Sequence, residues 1–302
     1  MILITEMIHP IGLDILSRYD DDVYYDPDLH QKPEALADRV ALARALIVRN
    51  KTQVNAELIE RAPYLRVVGR LGVGLDNIDQ GVLQQRSVRL IVPQGANAVS
   101  VAEYVLGMAI AFQRRFPRMM SQLRQGQWIR DMSGGELAGK TLAVIGYGKA
   151  GQAVAIRAQA FGMKLRIYDP YAEVEDSWKT ESFEEAVEGA DIISLHVPLT
   201  PQTYHLINSL TLSLLHSHSL VINTSRGELI DELALLKALE TEKLAGAVLD
   251  VREKEPPGPQ DRLAMLPNVF STPHIAGLTE DSQIAIARYV AEGVKEVLDS
   301  NL

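Results

Sequence analysis

Thr141-Leu142-Ala143-Val144-Ile145-Gly146-Tyr147-Gly148-Lys149-Ala150-Gly151 is an apolar run of strand type that breaks into a G-x-G-x-x-G turn. A helix-like segment, Gln152 to Phe161, follows and is closed by Gly162. In this order the first glycine permits the tight turn, the second lets backbone approach a pyrophosphate, and the third lets helix pack closely on strand. The helix N-terminus adds amides and positive partial charge for the phosphates, and Lys149 and Ala150 belong to the glycine turn that leads into it. Asp169 stands eighteen residues beyond Gly151, at the end of the next apolar run, where a carboxylate can accept from ribose hydroxyls. A 2′-phosphate there would meet like charge, and no arginine directly follows Asp169, so the pattern favours NAD over NADP.

Outward from that turn the alternation continues. Leu165 to Tyr168, Ile192 to Leu195, Leu220 to Ile222, Gly246 to Leu249 and Asn268 to Phe270 are short apolar runs. Directly after them come Asp169, then His196-Val197-Pro198, Thr224-Ser225-Arg226, Asp250 with Glu255, and Pro273-His274. In a parallel sheet with helical crossovers, ligands sit outside the carboxyl ends of the strands at a topological switch point. The reading therefore gathers all of these groups on one edge of one sheet.

The first hundred residues form a second, smaller alternation. Strands are expected at Ile2 to Ile4, Val23 to Tyr25, Ala45 to Val48, Arg66 to Val68 and Arg89 to Val92, and helices at Pro33 to Ala43, Asn55 to Arg61 and Asn77 to Gln85. Ser100-Val101-Ala102-Glu103 reads as a capping box opening a long helix. Its stripe of Val101, Val105, Met108 and Phe112 faces a partner surface, and Pro117 should kink or end it. Glu280 to Leu298, with Ile284, Ala287, Tyr289, Val290 and Val294 at mainly helical spacing, is expected to pack back on the first domain. The fold class is thus α/β, with two doubly wound open-sheet domains: residues 1–99 with 278–302, a discontinuous flavodoxin-like domain, and 100–277, a Rossmann-type dinucleotide domain.

Composition narrows the function classes. At 302 residues the chain can bury two cores, and 47% hydrophobic with 23% charged residues is ordinary for a globular protein. A net charge of −9 argues against a nucleic-acid partner while allowing a local basic pocket for a small anion. Without cysteine there is no disulfide framework, thiolate metal site or thiol nucleophile. Met1-Ile2-Leu3-Ile4 is soon followed by Glu6, His9 and Pro10, so no signal peptide is read. No run approaches a membrane span, and a cytoplasmic address follows by default.

With these residues assembled, the chain resembles the D-isomer-specific 2-hydroxyacid dehydrogenase family over nearly its whole length, most of all its phosphoglycerate dehydrogenase branch. The matching stretches are Val68 to Asp79, Gly146 to Gly151, His196-Val197-Pro198-Leu199-Thr200, Asn223 to Gly227, Leu249-Asp250-Val251 with Glu255-Pro256, and Thr272-Pro273-His274-Ile275-Ala276-Gly277. The resemblance implies an NAD-dependent oxidoreductase of two similar α/β domains with the active site in the cleft between them. It needs no metal, and implies a homodimer formed through the NAD-binding domain with the Ser100 helix. It makes His274 the acid and base, Glu255 its partner and Arg226 the anchor of the substrate carboxylate. Asp250 is expected to bind the nicotinamide carboxamide or ribose. Thr224 is expected to line the same pocket, with Pro198 and Gly277 beside the cofactor. His196 either contacts the cofactor or closes its strand. Val73-Gly74 looks like the family's backbone-amide contact to the substrate carboxylate. The chemistry explains the residue types. Imidazole titrates near neutrality and can pass a proton either way, a carboxylate beside it favours imidazolium and fixes its tautomer, and guanidinium grips a carboxylate bidentately. Family members commonly have an aromatic residue after the Asp-Val pair, where Arg252 stands here.

Arg49, Arg70 and Arg130 occupy places that hold basic residues near a substrate phosphate in the phosphoglycerate dehydrogenase branch. Converging guanidinium groups in an acidic protein call for an anion, although ion-paired surface positions are the alternative. The expected substrate is 3-phosphoglycerate with its keto acid first, sulfolactate next, and hydroxypyruvate or glyoxylate after them. The same family includes NAD-binding corepressors, so a non-catalytic redox sensor stands as the reading from another class.

Overall fold

A computed structural model describes residues 1–20, 22–130 and 133–300. The chain divides into two compact units, Met1–Asn97 joined by the segment from Thr279 onward, and Ala98–Leu278. The first unit runs β1 (Ile2–Ile4), α1 (Pro10–Tyr19), β2 (Val23–Tyr25), α2 (Pro33–Val40), β3 (Ala45–Val48), α3 (Ala56–Glu60), β4 (Val67–Arg70), α4 (Gln80–Gln85) and β5 (Arg89–Ile91). Its five strands are parallel in the order β2-β1-β3-β4-β5, the flavodoxin-like order with a switch point between β1 and β3.

The second unit opens with α5 (Ala98–Gln113) and α6 (Phe116–Arg124). It continues through β6 (Thr141–Ile145), α7 (Lys149–Ala160), β7 (Lys164–Tyr168), α8 (Phe183–Val187), β8 (Ile192–Leu195), α9 (Ser209–Leu212), β9 (Leu220–Asn223), α10 (Glu232–Glu240), β10 (Gly246–Leu249), α11 (Arg262–Met265) and β11 (Val269–Ser271). Six parallel strands stand in the order β11-β10-β9-β8-β6-β7, so the switch point lies between β6 and β8. Helices cover both faces of such a sheet, which is why β8, β9 and β10 are buried at every residue and read as continuous apolar runs rather than alternating ones. One face carries Ile145, Ile193, Leu195 and Leu249, the other Val144, Ile192, Ile222 and Val248. Truncating a side chain such as Ile145 to alanine should cost about 2–5 kcal/mol, because the packed neighbours collapse only partly into the hole.

α12 (Glu280–Asp299) returns to the first unit, its N-terminus closed by a reciprocal Thr279 and Ser282 capping box. Its buried face is Ile286, Ala287, Val290, Ala291, Val294 and Leu298. Tyr289, read as part of the stripe, is exposed, and Ile286 rather than Ile284 lies on the buried face, one turn before Val290. Two other expectations are corrected. The long helix begins at Ala98, fed by the turn through Gln94 to Asn97, so Ser100 is a buried first-turn residue and not a cap. Helix α1 had no counterpart in the sequence reading; Pro10 occupies its first position and the His9 ring accepts from the Ile11 amide. Pro117 acts as expected: α5 ends at Gln113, Arg115 turns left-handed, and Pro117 sits in the first turn of α6.

Candidate active site

The switch point of the second unit is bordered by the β6 turn and the end of β8. Gly146 has φ +96°, and a Cβ there would meet the His196 carbonyl carbon at 2.7 Å. A Cβ on Gly151 would lie 2.0 Å from the Gly146 carbonyl oxygen, so α7 rests directly on the turn. Gly148, the cap of α7, faces nothing within 4 Å. Two glycines therefore build the cradle and the middle one leaves it open beside the unpaired amides of a helix N-terminus, as a pyrophosphate requires. Asp169 fixes the turn from the neighbouring strand. Its Oδ2 accepts from the Tyr147 amide at 2.7 Å, and its Oδ1 accepts from Tyr171 and Ala172. Beyond β8, the His196 ring pairs with the buried Ser194 hydroxyl at 2.8 Å, and burial pushes its pKa down to about 4. Pro198 follows, its carbonyl accepting from the Thr203 hydroxyl.

After β9 the chain turns through Thr224, Ser225 and Arg226. Asn223, fully buried, receives the Ser225 amide and donates to the Arg226 carbonyl, while the Ser225 hydroxyl donates to the Val197 carbonyl. Thr224 Oγ1 is buried with no hydrogen-bond partner among the described residues. An orphaned hydroxyl beside an open glycine cradle fits a dinucleotide with its own donors and acceptors. Gly227 lets this loop touch the next one: its Cβ would lie 1.9 Å from the Arg252 carbonyl carbon.

After β10, Asp250 is buried and organises the segment beyond β11. Its Oδ1 accepts from the Thr272 hydroxyl at 2.6 Å and the Ile275 amide at 2.8 Å, its Oδ2 from the Ala276 amide at 2.8 Å, and its carbonyl from the His274 amide. These bonds, which end one residue before Gly277, hold His274 at φ +57°, a conformation costing about 1–3 kcal/mol for a residue with a Cβ. They aim its ring at Glu255, with Nδ1 to Oε2 at 2.9 Å and both side chains about half exposed, so a small molecule can reach the ring. Hydrogen-bonded Nδ1 leaves Nε2 for a ligand.

In the first unit, Arg49 follows β3 and Arg70 ends β4, where Arg70 pairs in register with Val48. Arg70 is buried, its guanidinium over Gly72, and Val73 and Gly74 follow directly along the chain. Arg130 belongs to the second unit, past α6, where it lines a shallow groove with Met119, Leu123, Trp128 and Ile129. Among the described residues no helix is long and apolar enough to cross a membrane, and no cluster of three His, Asp or Glu could hold a metal.

Residues 106–276 match the family model for the NAD-binding domain of D-isomer-specific 2-hydroxyacid dehydrogenases. The chain belongs to that family. A D-3-phosphoglycerate dehydrogenase of Methanocaldococcus jannaschii is 40% identical over the whole chain, which spans 58% of that relative's length. A (S)-sulfolactate dehydrogenase of Chromohalobacter salexigens is 39% identical, the match covering 98% of each chain. A D-lactate dehydrogenase of Aquifex aeolicus, solved with NAD and lactic acid, superposes with a TM-score of 0.86 at 28% identity, covering 99% of this chain and 95% of that one.

As a member of this family the chain has an NAD-binding domain, and residues that support the candidate site loops in either unit were not all read from sequence. Glu6, 3% exposed, accepts the amides of Arg49, Asn50, Lys51 and Thr52, and Asn77 donates to the Arg49 and Thr52 carbonyls. Together they shape the loop that bears Arg49. Tyr104 reaches across from α5 to the Thr272 hydroxyl at 2.5 Å, and burial raises its pKa to about 12, so it stays a phenol. Asn77 and Thr272 lie inside quoted motifs, but Glu6 and Tyr104 carry no local signal.

Proposed function

We propose that this chain interconverts a 2-hydroxy acid and its 2-keto acid with NAD, and that the preferred acid carries a second anionic group. The observation that carries the reading is the His274 and Glu255 pair at 2.9 Å, set on a loop that Asp250 locks and next to the loop of Arg226. The cofactor, when bound, would accept the hydride as NAD+ in oxidation of the hydroxy acid and supply it as NADH in reduction of the keto acid. Gly146, Gly148, Lys149, Ala150 and Gly151 would hold its pyrophosphate, Asp169 its ribose, and His196, Pro198, Thr224, Asp250 and Gly277 the nicotinamide end. The catalytic residues are Arg226, Glu255 and His274. Arg226 holds the substrate carboxylate and places positive charge near the carbonyl oxygen; His274 as imidazolium gives that oxygen its Nε2 proton in reduction and takes it back at neutral Nε2 in oxidation, while Glu255 accepts from Nδ1 and favours the imidazolium.

Arg49, Arg70, Val73, Gly74 and Arg130 are the proposed substrate contacts. Val73 and Gly74 offer amides to a carboxylate, and the guanidinium groups favour a phosphate or sulfonate. Supporting this, relatives 40% and 39% identical are named for 3-phosphoglycerate and sulfolactate. We order the substrates as 3-phosphoglycerate, then sulfolactate, then hydroxypyruvate or glyoxylate. The chain is further proposed to pair with a second copy through its NAD-binding unit, but not by the expected stripe of the Ser100 helix, whose Val101, Val105, Met108 and Phe112 pack into that unit's own core: α6 buries none of its residues and exposes Met120 and Leu123, with Trp128 exposed just past it.

The deciding experiment follows NADH oxidation with phosphohydroxypyruvate, sulfopyruvate, hydroxypyruvate, glyoxylate and pyruvate, with NADPH as control. Preference for a doubly anionic acid is expected. Preference for small mono-anions would discard the basic pocket, and NADH binding without any turnover would replace the enzyme by a redox sensor.

A further inference from the structure

We propose that Arg252 is a positioning residue for the Glu255 and His274 pair, a buried guanidinium gripped by Glu232 and Asp261 that locks the loop of Glu255 against the loop of Arg226. The proposal rests on the role given to His274 above.

The Arg252 side chain is 6% exposed. Its Nε and Nη2 donate to Glu232 Oε1 and Oε2 at 2.7 and 2.9 Å, its Nη2 donates to Asp261 Oδ1 at 3.0 Å, and its Nη1 to Asp261 Oδ2. Both edges of the planar group are therefore used, an arrangement no lysine can reproduce. The two carboxylates come from separate places. Glu232 is the first residue of α10, at the far end of the segment that starts at Thr224, and Asp261 caps α11 at the far end of the segment that carries Glu255. Glu232 Oε1 also accepts the Glu253 amide at 3.0 Å, and the Glu253 side chain meets His205 at 2.7 Å.

The Arg252 main chain completes the link. Its amide donates to Glu255 Oε1 at 3.1 Å, leaving Oε2 for His274, and its carbonyl packs on Gly227, next to Arg226. An aromatic ring at this position would cover the same ground with non-directional contact. A doubly forked guanidinium sets direction and distance, and an ångström of misplacement in a reacting constellation costs about 10²-fold in rate. A buried guanidinium gripped by two carboxylates does not by itself add stability over an apolar replacement, yet removing the cation alone strands two partly buried carboxylates.

Five proteins are compared: R252K, the neutral triple variant R252M with E232Q and D261N, E255Q, H274A and wild type. R252K is expected to lose about tenfold or more in kcat with KM for the keto acid and NADH affinity little changed, and its pH profile for reduction should take the shape of that of E255Q. The triple variant, free of stranded charge, is expected to recover the wild-type Tm while kcat stays low. Wild-type kcat and pH profile in the triple variant, with H274A inactive, would overturn the clamp alone. Normal turnover by H274A would instead overturn the reading on which it rests.

Discussion

Nδ1 of His274 stands 2.9 Å from Oε2 of Glu255, and Asp250 holds the loop that makes this possible with both of its carboxylate oxygens. H274A should lower turnover by about 10²–10⁴-fold and leave NADH affinity near wild type. E255Q keeps a hydrogen-bond acceptor but removes the charge that favours imidazolium, so reduction, which consumes that proton, should suffer more than oxidation. Steady-state rates in both directions with NADH fluorescence titration test this; equal losses in both directions would point to a purely steric role for Glu255.

Gly148 and Gly151 should separate cofactor binding from folding. In G151A the new Cβ meets backbone at 2.0 Å, so Tm should fall by several degrees along with NADH affinity. In G148A, with φ −69° and nothing within 4 Å, Tm should hold while NADH affinity drops about tenfold or more, because the methyl takes the room of the pyrophosphate. Melting curves and NADH titration of the two proteins decide it; full affinity in G148A would move the phosphates elsewhere.

Asp169 is both a ribose ligand by proposal and a holder of the Tyr147 amide. D169A should therefore weaken both nicotinamide cofactors but NADH more than NADPH. The ratio of the two dissociation constants is the measurement, and an unchanged ratio would assign ribose reading to another residue.

The strand ends of the second unit were legible because a parallel sheet buried on both faces makes each strand a short apolar run, and the residue after each run faces the ligand edge. What stayed hidden depends on partners distant in sequence. Gly12 inside α1 makes sense only against Ile8 and Ala287, where a Cβ would come within 2.8 and 3.0 Å. Arg252 looks like a surface residue until Glu232 and Asp261 are beside it. Glu6 lies on no periodic stripe, and its four amide donors lie more than forty residues away.

His196 predicts a loss of stability on mild acidification. Its folded pKa of about 4 lies below the ordinary 6.5, so between those values the unfolded chain takes a proton that the folded protein refuses. Stability is full above pH 6.5 and should drain by up to roughly 3 kcal/mol toward pH 4. H196Q should flatten that part of the pH dependence in thermal melts; an unaltered slope would assign the titration to another group.

Glu6 governs a lower window with the opposite chemistry. Burial alone would raise its pKa, but the amides of Thr52, Arg49 and Lys51 and the Thr52 hydroxyl outweigh burial and hold it below 4.5. A depressed carboxylate stabilises the fold above its unfolded value and loses that contribution as pH falls through the folded one, so this loss belongs below pH 4.5. E6Q turns an amide toward four amide donors and should cost about 2 kcal/mol at neutral pH. Because those donors shape the loop of Arg49, the same variant should raise KM for a doubly anionic keto acid more than for pyruvate. Equal KM changes for the two acids would separate the loop from recognition of the second anion.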